Sequence, residues 1–497
     1  MDFKLQSKLT NKKADYWSII LSIYIIVFIV VIFTLLSSDF IHWFIIPIMI
    51  SGVIITIDAI DWIRKKIDTF DPVGFIGLFG FHFFFLAPLL QIYLNYGMTY
   101  VIPPDDWRPW LGGMAIINMF GLIIYRYTRR IAFKRFRASS KNVIWILNKR
   151  VLLSISIPSL IIMGVLQLYV YYTQGGIISY ITSYTERAGS FEGMGWIFAI
   201  SESFPIVGII LLATFLRNSK YKKSYFMILN ILIIFFLIRM IFGGLRGSRS
   251  NTIWAMIWAV GIIHFWIRPI SRKFIYVGLA FLFSFIYIYG IYKGAGLEVI
   301  EAIKDSESRE EIAEESGRGI ETVLLGDLSR TNVQAFILYR LHSHPSEYSL
   351  ALGRSYLGDM SILIPKRIWP DRPPTKVKEG TEIIRGEGSY NPNGYVSSRI
   401  YGLTGEFMLN FGYVFAPLVF IVLGIFVAKV KSFLCLFDRE DSRLLIYPFL
   451  IVCCFLLLVQ DLDNLIFSIF KNLLIPFIIV WMSSNKIYLE KSNLPSH

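Results

Sequence analysis

The run RMIFGGLRGSRSN, residues 239–251, gathers three guanidinium groups around three glycines in an otherwise apolar neighbourhood. On a continuous helix, at about 100° per residue, Arg239, Arg246 and Arg249 would share one face. Gly243, Gly244 and Gly247 favour an unwound end instead, with backbone N–H groups turned out beside Arg246 and Arg249. Either geometry makes an anion site, and the planar fork of arginine suits phosphate oxygens. A single arginine here would read as a snorkelling anchor. Three of them with a glycine turn point to an anionic headgroup.

The scaffold that must hold these residues follows from composition. Of 497 residues, 55% are hydrophobic and 17% charged, against about 25% charged in soluble domains, which excludes a soluble fold. Crossing about 30 Å of hydrocarbon takes about 20 apolar residues. Twelve such runs are present: 17–36, 40–60, 72–97, 107–127, 151–172, 194–216, 225–244, 252–267, 274–292, 401–427, 444–460 and 465–482, the tenth interrupted by Asn410 and Gly412. The sequence thus predicts an all-α polytopic membrane protein with about twelve transmembrane helices. Lys and Arg crowd connections such as 126–150 and thin out to Arg108, Arg187, Arg246 and Arg249 on the other side. Both termini are therefore expected in the cytoplasm, and the net charge of +14 reads as orientation and anionic-lipid contact, not nucleic-acid binding. Cys435, Cys453 and Cys454 offer neither a disulfide framework nor a zinc site.

Three blocks are expected: nine spans in 1–292, one large external loop in 293–399, and three spans with a cytoplasmic C-terminus in 400–497. A 107-residue loop is long enough to imply function. Within it, 298–321 is acidic and reads as a solvated helix. Stretches 323–341 and 348–365 read as amphipathic helices lying on or dipping into the outer face of the bundle. Segment 364–374 is a proline-rich turn, and 385–398 reads as a mobile lid.

The turn GGLRGSRSN, the runs GDLSRTNVQAFILYRL and GDMSILIPKRIWPDRPP, and the later GLTGEFMLNFG resemble the Wzy-type polymerases of O-antigen and capsular repeat units, over roughly residues 235–430. The resemblance implies a GT-C-like membrane glycosyltransferase in the bacterial inner membrane, acting at its external face. Its substrates would be undecaprenyl-diphosphate-linked oligosaccharides, with no nucleotide sugar, cofactor or metal, and with a flippase and a chain-length regulator as partners. On that reading Arg239, Arg246 and Arg249 stabilise the departing diphosphate. The acceptor hydroxyl needs a base, for which Glu406, Asp359, Asp327 and His342 are eligible. Asp359 equally suits a local cap, and Glu406 a structural ion pair. Arg330, Arg367 and Arg372 would grip a second diphosphate or orient the glycan, with Arg354 and Arg385 as further external cations. Trp369, Tyr356 and Tyr395 offer faces to sugars, although Trp369 equally suits an interfacial anchor. Glu202 is a partner for Arg239 or a cavity lining, and His82 and His264 read as satisfied core residues. A flippase or transporter, or an O-antigen ligase, are the alternatives.

Overall fold

Long apolar runs can satisfy their backbone polar groups within lipid only as helices or closed barrels, and the computed structural model of this chain is an all-α multi-pass membrane protein with little sheet. The structure describes residues 16–98, 101–138, 143–180, 194–245, 249–295, 320–365, 367–394, 396–397 and 399–488. Its principal helices are, in chain order, α1 (Tyr16–Leu36), α2 (Ile45–Ile63), α3 (Pro72–Tyr93), α4 (Arg108–Ala138), α5 (Lys149–Thr173), α6 (Gly195–Leu216), α7 (Tyr225–Gly244), α8 (Arg249–Ile267), α9 (Arg272–Ala295), α10 (Thr331–Ser343), α11 (Arg354–Met360), α12 (Lys376–Arg385), α13 (Gly402–Phe411), α14 (Ala416–Leu436), α15 (Tyr447–Val459) and α16 (Leu462–Met482).

Among the described residues ten of these, α1–α3, α5–α9, α14 and α16, are long and apolar enough to cross a membrane. The twelve apolar runs differ from these ten for three physical reasons. The run 107–127 is only the apolar part of α4, a 31-residue helix that continues into its basic end. The run 444–460 yields α15, which has 13 residues. The run 401–427 breaks where Gly412 adopts φ +79, leaving α13 as a separate buried helix and moving the span to α14.

Two compact units divide the chain, along lines other than the three sequential blocks. The first comprises Met1–Ser139, Leu324–Cys435 and Cys453–Phe467; the second Ser140–Val323, Leu436–Val452 and Ser468–His497. In the first, α3 starts where the Asp71 side chain accepts the Val73 N–H and Pro72 fills the first turn. Its glycines bring α3 onto α2: a Cβ at Gly77 would fall 2.5 Å from the Ala59 nitrogen. The second half of the expected external loop is built into this unit. Val333, Phe336 and Ile337 of α10 share a core with Met114 and Ile117 of α4, Ile383 of α12, and Met408 and Leu409 of α13. The segment after α12 continues into turns, and residues 298–319 of the expected acidic helix lie outside those described.

In the second unit, β1 (Val143–Leu147) pairs antiparallel with β2 (Ser484–Tyr488). Arg443 fastens that ribbon, bonding Asp441 and donating to the Val143 carbonyl. Buried His264 accepts the Ile270 N–H through Nδ1 and, in the first unit, half-buried His82 meets the Leu324 carbonyl through Nε2, so both histidines are hydrogen-bonded.

Because the atom that a Cβ at Gly77 would meet is backbone, Gly77→Val is expected to lower stability by about 1–3 kcal/mol. Thermal unfolding of the purified protein in detergent measures this, and an unchanged midpoint would contradict the close α2–α3 packing.

Candidate functional site

In the first unit, the turn between α15 and α16 places Asp461 against the start of α13. Its Oδ1 accepts the Tyr401 and Gly402 N–H groups at 2.8 and 2.7 Å, satisfying donors that a helix N-terminus otherwise leaves open. Gly402 sits at φ +70, which L side chains rarely adopt. The other oxygen of Asp461, Oδ2, accepts from Lys376, the first residue of α12, and Asp463 Oδ1 lies 3.4 Å from the same ammonium. Burial alone would lower the Lys376 pKa, but the two carboxylates outweigh it and hold the amine charged.

Glu406 on α13 returns the favour to α16, its Oε2 accepting the Leu462 N–H at 2.8 Å. Asp359, at the end of α11, accepts the Lys376 N–H at 3.3 Å through Oδ1. The remaining oxygens, Asp359 Oδ2 and Glu406 Oε1, are buried and reached by no ordinary donor. The two carboxyls interact with each other, and with their burial this favours retention of a proton on the pair. Burial raises both: Asp359 to about 6, and Glu406, also pushed up by its bond to Asp359 and the charge of Asp461, well above the carboxylate range. Glu406 therefore holds the proton and Asp359 is the ionised partner near neutrality. Asn410 supports the pair, its Nδ2 donating to Ser355 Oγ and to the Glu406 carbonyl.

In the second unit, the glycine turn is unwound as its composition suggests. Phe242 and Gly243 leave helical geometry, Gly243 at φ +97. A Cβ there would fall 2.3 Å from the Glu202 carboxyl carbon, so glycine is what admits Glu202. Arg239 donates to the Glu202 carbonyl at 2.7 Å and meets its carboxylate at 3.4 Å, while Lys471 lies 2.7 Å from that carboxylate. Two cations thus converge on one buried carboxylate. Three tyrosines hold the turn: Tyr171 donates to the Ile241 carbonyl at 2.5 Å, Tyr289 to Gly244 at 2.5 Å and Tyr292 to Leu245 at 3.2 Å. Arg249 opens α8 and reaches the Ile286 carbonyl at 3.3 Å. Arg246 and Gly247 lie outside the described residues.

The remaining sequence candidates divide by what their donors do. Arg330 turns Nε onto the Val459 carbonyl and Nη1 onto those of Gly326, Asp327 and Ser329. Arg372 Nη1 collects the carbonyls of Ser361, Ile362 and Ile364. Both arginines thus brace backbone carbonyls. Arg354 chelates Glu379, which also accepts from Tyr348. His342 is exposed, tilted against Trp110 and edge-on to Tyr413. Arg367 and Trp369 are exposed, and Tyr395 lies outside the described residues. Asp359 and Glu406 are thus brought together, while Arg239 and Arg249 sit in the other unit. Sequence reasoning gave no role to Lys376, Asp461, Asp463 or Lys471. Asp461 and Asp463 had a signal, two acids interrupting apolar runs in QDLDN, and Lys471 is a lone cation inside a span; Lys376 had none.

Compared with protein-family models, curated proteins and solved structures, the chain matches none.

Two outcomes follow from the carboxyl frame. Lys376→Met strands buried carboxylates and is expected to cost about 3–5 kcal/mol, with much of that regained in Lys376→Met/Asp461→Asn, as read by thermal unfolding in detergent; equal losses would contradict the pairing. The folded pair also keeps a proton that the unfolded chain releases near pH 4. Stability therefore falls as pH rises from about 4 through about 6 for Asp359 and further for Glu406. Asp359→Asn/Glu406→Gln should flatten that slope; an unaltered pH profile would contradict the retained proton.

Proposed function

We propose that the chain is a polysaccharide polymerase of O-antigen or capsule synthesis. It would be a GT-C-like glycosyltransferase that moves a growing glycan from undecaprenyl diphosphate onto a lipid-linked repeat unit at the outer face of the bacterial cytoplasmic membrane. The observation carrying this reading is the buried Asp359–Glu406 pair, which lies within the two runs that resemble such polymerases. A carboxylate with its pKa near 6 is suited to take a hydroxyl proton at physiological pH. In this reading Asp359 accepts the acceptor hydroxyl proton as the new glycosidic bond forms. The bond from the donor sugar to diphosphate breaks, and its electron pair leaves on the phosphate oxygen. The resemblance assigns the departing diphosphate to Arg239, Arg246 and Arg249, whose charge would help most where negative charge grows in the transition state. The chemistry uses no cofactor or metal.

A second reading, a proton-coupled transporter or flippase of lipid-linked oligosaccharide, is favoured by the same pair, because a buried group that gains and loses a proton is what such coupling requires. Purified protein given synthetic lipid-diphosphate repeat units separates the two. The polymerase reading expects longer lipid-linked products, insensitive to chelator, with an activity limb rising through about pH 6. Asp359→Asn and Glu406→Gln should each slow elongation by roughly 10²–10⁴. Arg246→Ala and Arg249→Ala should abolish polymer while leaving single-unit glycan. Absence of longer products, with movement of the substrate across vesicle membranes, would favour the transporter; products formed only on a lipid core acceptor would favour a ligase.

A further inference from the structure

From Leu352 to Ile364 the segment has its polarity reversed, and exposed Ile368 and Trp369 follow beside exposed Arg367. On α11 the buried residues are Ser355, Gly358 and Asp359, and the next buried residue is Ser361. Leu352, Leu357, Met360 and Ile368 are 62–75% exposed, and Ile364 and Trp369 more than a third. A short helix with polar side chains inward and leucine and methionine outward is unsuited to water, and buried polar with exposed apolar residues is the informative combination.

Its backbone is equally unsuited to water. After Met360 the helix tightens into a 3-10 turn, Ser361–Leu363, and is irregular beyond it, yet irregular backbone survives in lipid only where its polar groups are satisfied within the protein. Arg372 meets that condition by collecting the carbonyls of Ser361, Ile362 and Ile364 on one nitrogen, while Ser361 Oγ donates to the Gly358 carbonyl. The N–H groups of Ile364, Ile368 and Trp369 bond back to Ser361 and Pro365, and Pro365, Pro370, Pro373 and Pro374 have none to satisfy. At Gly358 a Cβ would fall 2.1 Å from the Pro374 carbonyl, so the proline run lies directly on α11.

The segment is also continuous with a membrane-facing surface. Ala351 and Leu352 donate backbone N–H groups to the carbonyls of Leu409 and Asn410, at the end of α13. There the chain enters α14 through exposed Val414, Phe415 and Leu418, and exposed Ile421, Val422 and Ile425 carry the apolar face along that span.

We propose that residues 352–365 and 367–369 form a strap immersed in the bilayer interface, with the lipid acyl layer as partner of the Leu352, Leu357, Met360 and Ile368 face. The opposite face of the same helix carries Asp359, so lipid contact and the position of the carboxyl pair are mechanically linked. The inference stands on the membrane character of the chain and does not depend on the polymerase reading.

Single cysteines at Leu357, Met360 and Ile368, in a background with Cys435, Cys453 and Cys454 replaced by alanine, test it after nitroxide labelling and reconstitution into phosphatidylethanolamine–phosphatidylglycerol vesicles. The strap positions should show several-fold greater oxygen relative to nickel-chelate accessibility than a label at Asn393, an exposed turn residue. Equal ratios at all four positions would overturn the proposal. The unmodified protein gives a second measurement, since a lipid-dissolved carbene reagent should label the 352–369 peptide alongside α14. Labelling of α14 with the strap spared would also overturn it.

Discussion

A charge removed from water must find its counter-charge and hydrogen bonds within the protein, because the desolvation penalty of an isolated buried ion is several kcal/mol. In the first unit Asp461 sets how that requirement is met. One of its oxygens holds Lys376 and the other ties down the start of α13. Through those bonds α12, α13 and the α15–α16 turn share one frame, and Asp359 and Glu406 are suspended within it by single hydrogen bonds to the backbone of Lys376 and Leu462. Two carboxyls so placed cannot both ionise without adjacent buried negative charges, and retention of one proton is the physical consequence.

The second unit meets the same requirement. There the buried Glu202 carboxylate meets both Arg239 and Lys471. The close approach depends on Gly243, and the turn stays unwound because tyrosine hydroxyls take over carbonyls that a helix would have bonded.

Much of the membrane-spanning frame was legible because hydropathy reports burial in lipid directly. The unwinding at Gly243 was legible because glycine has few other uses there. Asp359 and Glu406 were recognisable as ionisable groups in costly surroundings, yet their pairing was not, since 47 positions separate them and the bond depends on how α11 and α13 fold back together. Lys376 gave no signal because a lysine in a polar stretch is ordinarily solvated; only the tertiary frame buries it. The amphipathic reading of residues 323–365 identified apolar faces but not their direction. In α10 the apolar residues face the core, whereas in α11 they face outward, and periodicity is the same in either case.

The retained proton is the feature from which both the stability profile and the proposed chemistry derive. Isotope-edited infrared difference spectroscopy of the protein in lipid, with Glu406→Gln and Asp359→Asn as comparators, reads it directly. A protonated carboxyl C=O band at neutral pH, absent in Glu406→Gln and shifted in Asp359→Asn, is the predicted result. A wild-type spectrum with both groups fully ionised at neutral pH, unaffected by either substitution, would contradict the account.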